Sequence, residues 1–134
     1  MIQKSFVFFL YSNIVKRTPV DTGRARSNWN VSIGSPNTKI TDDVNRRVSF
    51  NEIPDADGGP IYFITNNLPY IRTLEYGGYP SPVKKGSWDK KQKRYVVKSA
   101  NGFSKQAPNG MLGVTVAEAD RIYRQAISAI RGVR

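Results

Sequence analysis

The sequence predicts an α+β fold, with a helix at each end and short strands between them. Three observations predict it. Apolar residues recur at three- and four-residue spacing near the N-terminus and again near the C-terminus. Between these stretches, short apolar runs are cut by Gly, Pro and Asn, the punctuation of strands and turns. The chain has 134 residues, enough for one domain and too few for two, so 1–134 is read as a single unit.

Residues 2–17 read as the first helix. Ile2, Phe6, Phe9 and Asn13 or Ile14 make its stripe, and Gln3, Lys4, Ser12 and Lys16 fall elsewhere. The aromatic density calls for burial on two sides, which core packing supplies, with a partner subunit as the alternative. Pro19 disfavours helix at Thr18, so the helix should stop there. Asp21 and Thr22 are turn formers or an N-cap, and Gly23 opens conformations closed to other residues. Arg24 and Arg26 place two forked donors beyond that corner, and Trp29 is an apolar anchor where a strand begins.

Trp29, Val31 and Ile33 alternate with polar residues, as in a strand with one buried face, and Gly34-Ser35-Pro36-Asn37 ends it. A second strand is expected over 44–50, with Val44, Val48 and Phe50 on one side. Residues 51–60 are a loop. Residues 61–65 suit a central strand, and Asn66-Asn67-Leu68-Pro69 turns the chain. A further element spans 70–76, stopped by Gly77-Gly78.

The stretch 79–105 is the least regular and reads as a long, mobile basic loop. It carries Lys84, Lys85, Lys90, Lys91, Lys93, Arg94, Lys98 and Lys105 against Asp89 alone. Residues 95–97 suit a strand within it. Pro108-Asn109-Gly110 is a tight turn, and 111–116 a last strand. Thr115-Val116-Ala117-Glu118 matches a capping box. Val116, Ala119, Tyr123, Ala126, Ile127 and Ile130 then form the stripe of the C-terminal helix, with Gly132 as its stop.

Composition excludes much chemistry. There is no cysteine and no histidine, so thiol nucleophiles, thiolate metal sites and the usual general base are all missing. Asp55-Ala56-Asp57-Gly58 opens like a calcium loop, but Asn66 stands where the closing Glu belongs. Asp42-Asp43 reads as a solvated pair rather than an acid–base couple. No phosphate loop, dinucleotide fingerprint or nucleophile elbow appears. The expectation is no enzyme, no metal and no cofactor. No apolar run approaches the roughly 20 residues that cross a bilayer, so no membrane partner is expected.

The net charge is +11, from 21 basic and 10 acidic residues, which calls for an acidic partner. Trp88 and Tyr95 interleave with Lys84, Lys85, Lys90, Lys91, Lys93 and Arg94, a pattern that suits contact with DNA or another acidic partner.

Four blocks in order resemble a family of bacteriophage proteins, the tail-completion or neck proteins of long-tailed phages. The first is the N-terminal helix running into Thr18-Pro19-Val20-Asp21-Thr22-Gly23-Arg24, then Arg26 and Trp29. The second is Asn67, then Tyr70-Ile71, then Leu74-Glu75-Tyr76-Gly77-Gly78. The third runs from Gly102-Phe103 through Ala107-Pro108-Asn109-Gly110-Met111. The last leads into the C-terminal helix. Ala25 stands where the family often has a larger aliphatic residue, and the N-terminal helix is short for the family.

The resemblance implies a small antiparallel sheet packed by the two helices and no catalysis. It implies a ring, typically of six subunits, between the head connector or adaptor and the tail terminator or tail tube, with DNA passing through the lumen. The expected location is the virion neck, after synthesis in the bacterial host cytoplasm. Arg24 and Arg26 are expected at subunit or connector contacts. The corner residues and Glu75-Tyr76-Gly77-Gly78 are expected to shape the fold and launch the basic loop. A tail-terminator ring is the alternative within the class, and a free, non-specific DNA-binding protein the alternative outside it.

Overall fold

Helix α1 (Ile2–Arg17) is the element on which the others gather: α2 (Arg24–Ser27), β1 (Trp29–Ile33), α4 (Leu112–Ala117) and α5 (Ala119–Arg131) all touch it. The computed structural model describes residues 2–20, 23–54, 61–77, 87–89, 91, 93–96, 99–100, 103–104, 107 and 109–131. Val7, Tyr11, Ile14 and Val15 are the buried apolar positions of α1. The expected stripe is therefore displaced: Phe6 and Phe9 are only half-buried, and the Ile2 side chain lies outside the described residues. From 4 to 15 no side chain is fully exposed, because α1 is enclosed on several sides rather than along one face.

β1 pairs antiparallel with β2 (Tyr62–Asn66), in the register Trp29↔Asn66, Val31↔Ile64, Ile33↔Tyr62. Directly opposed residues share a face. Trp29, Val31, Ile64 and Tyr62 thus face the core, whose buried members also include Tyr11, Ile14, Ile53, Leu68, Leu74 and Met111.

The strand expected over 44–50 does not form. In place of a ladder, side-chain hydrogen bonds tie the segment 37–48 to the corner, to α1 and to β1 and β2. Asn30 Nδ2 donates to Lys39 O (3.1 Å), and both Thr65 Oγ1 and Asn67 Nδ2 donate to Asn37 O (2.8 Å each). Arg46 donates to the carbonyls of Ser27 (3.1 Å) and Trp29 (3.2 Å). The Val48 N–H donates to the Tyr11 hydroxyl (2.9 Å). A 3₁₀ turn (Phe50–Glu52) follows, where the Phe50 ring meets Phe8 edge-on and carries the Lys4 ammonium 4.6 Å from its centroid.

The element at 70–76 is helix α3 (Ile71–Tyr76), and Gly77, at φ 83°, ends it as expected. The strand expected over 111–116 is instead helix α4. Its β-branched residues favour strand, but a carboxylate from α3 caps its first turn and decides the outcome. The capping box does not form either: Thr115 Oγ1 donates to Met111 O (2.7 Å), and Glu118 turns to two arginines. The chain breaks at Glu118 (φ −100°, ψ 9°), so a stripe counted through 116–119 loses phase. Ile122 and Ala126 are the fully buried residues of α5, while Val116 and Tyr123 are exposed. Gly132 lies outside the described residues.

Within the basic stretch, β3 (Ser87–Asp89) pairs with β4 (Arg94–Val96), and β5 (Ser99–Ala100) with β6 (Phe103–Ser104). The expected strand at 95–97 is present through Val96. β6 lies against α3. The whole is an α+β fold, with the two terminal helices packed together over a small antiparallel sheet.

Candidate functional site

The corner after α1 is an interlocked set. Trp29 Nε1 donates to Thr18 Oγ1 (2.8 Å), whose hydroxyl donates to Ile14 O (2.7 Å). Arg26 reaches back over the end of α1, its Nε donating to Thr18 O (2.7 Å) and its terminal nitrogen to Lys16 O (3.0 Å). A cation on the last carbonyls of a helix is favoured by hydrogen bonding and by the helix dipole. Burial, and then the neighbouring Arg47, lower the Arg26 pKa. Arg26, expected at a subunit contact, thus has a defined role inside its own chain. Arg24 keeps 41% of its side chain exposed, with Asp42 at 3.9 Å.

Gly23 is required on two counts. Its φ is +90°, and a Cβ there would sit 2.9 Å from Val44 O. Its own carbonyl accepts from Ser27 N (3.0 Å), starting the single turn of α2. Asn28 then ties the loop to the corner: its amide donates to Arg24 O (2.8 Å) and Thr41 O (3.0 Å) and accepts from Thr41 N (2.8 Å). Pro19 is half-buried just past α1, and Asp21 and Thr22 lie outside the described residues.

The second feature is a joint between two stretches remote in sequence. The Glu75 carboxylate accepts from three successive backbone amides, Met111 (2.7 Å), Leu112 (2.6 Å) and Gly113 (3.0 Å). Gly110 passes so close that a Cβ would lie 2.4 Å from Glu75 O, and its φ is +79°. The turn before it closes through Gly110 N to Ala107 O (3.1 Å). This joint sets the base of the basic stretch, because α3 enters it and α4 leaves it. Tyr70 (38%) and Tyr76 (74%) flank the joint as exposed aromatics. Asn109 is exposed, and Gly78 and Pro108 lie outside the described residues.

Among the basic candidates, Lys91 and Lys93 are exposed and Arg94 lies in β4. Lys93 holds φ 51° in the turn between β3 and β4. Lys84, Lys85 and Lys90 lie outside the described residues. Among the described residues, no group of three His, Cys, Asp or Glu is placed to hold a metal ion.

Sequence reasoning missed a third set. Arg17 donates to Thr115 Oγ1 (2.9 Å) and meets the Glu118 carboxylate at 2.6 Å, and Arg121 binds the same carboxylate. These groups border an open groove of about 730 Å³ between α1 and the start of α5, with Phe9, Asn13, Lys16 and Gln125 on its walls. The signal available was charge spacing alone, with Arg121 three residues after Glu118. The hydrogen bonds from Arg121 and then Arg17 hold the Glu118 carboxyl below its ordinary value of about 4.5. A depressed folded-state pKa stabilises the fold above the unfolded value, and the gain is lost as pH falls through it. The melting temperature should therefore fall more steeply below about pH 4.5 in the parent protein than in Glu118→Gln, measured by circular dichroism, with the two curves converging in acid. Parallel curves would show that the carboxylate contributes nothing.

Comparison with protein families, curated proteins and solved structures finds no match. The fold and the two joints define a small α+β protein whose singled-out residues mostly hold backbone, and the functional reading rests on the sequence resemblance and on this geometry.

Proposed function

We propose that this chain is a structural virion protein of a long-tailed phage, a neck or tail-completion subunit. It would work in a ring between the head connector and the tail, with DNA passing through the lumen. The observation that carries the reading is the Glu75 joint. Two of the four resembling blocks, 67–78 and 102–111, are far apart in sequence and meet through one carboxylate and one glycine. Within the first block, Trp29 and Arg26 fasten to Thr18 and the end of α1. The residues that carry the resemblance are thus those that set the geometry of the corner and of the base of the basic stretch.

In this reading the framework presents two things to partners. One is the corner, where Arg24 and the fully exposed carboxylate of Asp42 lie at the surface. The other is the stretch 79–105, whose charge suits an acidic protein face or the DNA backbone.

Electron microscopy of lysates from the source phage or prophage, with the gene deleted and then complemented, tests the reading. Packaged heads lying beside separate tails of normal length are the expected result. Tails of uncontrolled length would assign the chain to a terminator ring. Intact, infectious particles would overturn the virion role and leave DNA binding by the free protein as the reading to pursue, because the charge of +11 favours it.

A further inference from the structure

The groove between α1 and α5 carries an uneven charge. Lys16, Arg17 and Arg121 stand around it against the single carboxylate of Glu118. Arg17 is engaged with Glu118 and Thr115, so it holds the two walls together. Lys16 is exposed, and 53% of the Arg121 side chain remains accessible beside Glu118. The half-buried Phe9 lines the same groove, and Gln125, itself exposed, adds an amide with both a donor and an acceptor. An exposed lysine and an arginine that stays accessible while paired with Glu118, on the same walls as an aromatic ring and an amide, leave an excess of positive charge that fits a peptide carrying carboxylates beside an apolar side chain.

A nucleic-acid duplex fits less well. It gains affinity from many phosphate contacts spread along a surface, and this groove offers two accessible cations in one place. Its volume of about 730 Å³ suits a few side chains instead.

We propose that this groove docks an acidic peptide segment of a partner protein, with a carboxylate between Lys16 and Arg121 and an apolar side chain over Phe9. The inference does not depend on the neck reading, since it uses only the chemistry of the groove.

The test is nuclear magnetic resonance titration of the full chain with a capped hexapeptide of alternating glutamate and leucine, up to millimolar concentration. Shift changes should concentrate at Phe9, Lys16, Arg121 and Gln125. Lys16→Gln with Arg121→Gln should weaken binding at least about tenfold. Lys39→Gln with Arg124→Gln, which removes the same charge elsewhere, should change it by no more than about twofold. Changes scattered over the basic surface, an equal loss in the two double variants, or no change at millimolar peptide would each overturn the proposal. So would a short DNA duplex that shifts the same groove resonances at lower concentration than the peptide. The mapping uses the unaltered chain, so it decides the matter even if a variant folds poorly.

Discussion

Replacing Trp29 with alanine is expected to cost about 4 kcal/mol of folding stability. Trp29 is 2% exposed and sits in the main apolar cluster, where β1 meets α1. Truncation removes the largest side chain of that cluster and leaves a cavity that its neighbours cannot fill. It also removes the donor to Thr18 Oγ1, so a buried hydroxyl loses a partner. A domain of this size has roughly 5–15 kcal/mol in total, so the variant should sit near the edge of folding. In urea the unfolding midpoint should drop by about 2 M. Trp29→Phe keeps most of the packing and loses the N–H, so it should fall about midway. A midpoint for Trp29→Ala within about 0.5 M of the parent would mean that the corner is not part of the core.

The second large effect is expected at Glu75, where Glu75→Ala should cost about 3 kcal/mol. Its carboxylate accepts three backbone N–H bonds, and bonds to a charged acceptor are about twice as strong as neutral ones. Without it the first turn of α4 has three amides seeking water. Glu75→Gln keeps an oxygen but loses the charge, so about half the cost is expected. The distinctive sign is local. Amide hydrogen exchange should quicken together in α3 and α4, while the β1–β2 pair keeps its protection apart from any global loss. Exchange that rises evenly over the whole chain would rule out a local joint.

The parts of the fold that were legible in the sequence are those set by local pattern. The end of α1, the presence of β1 and the stop at Gly77 follow from Pro19, Trp29-Asn30-Val31 and a residue that accepts positive φ, whereas the single buried face expected of β1 does not hold, because Asn30 is buried as deeply as Trp29. The misread parts depend on distant partners. Residues 111–116 hold Val114, Thr115 and Val116, which read as strand until Glu75 supplies a cap from 36 positions away. Residues 44–50 alternate well enough for a strand. The Tyr11 hydroxyl takes the Val48 N–H and the Arg46 side chain anchors on the carbonyls of Ser27 and Trp29 instead, and no window of the sequence displays those distant partners. Asn28, Asn30, Asn66 and Asn67 offered a faint signal: four amides around a short sheet are suited to binding backbone, not merely to facing water. For the site, the corner and both turn glycines were legible because they are contiguous. The groove was not, because its walls come from opposite ends of the chain.

The Glu75 joint has a consequence for how this protein can change over time. It makes the basic stretch a cassette, clipped shut at its root by groups that belong to the framework. The entropy of closing such a loop grows only with the logarithm of its length. Apart from β6, which packs on α3, and Ala107, which belongs to the core, residues between the clip's two halves can therefore be lengthened, shortened or recharged at little cost to the rest. Selection can then alter the length and charge of the cassette while Glu75, Gly110 and the core behind them stay fixed.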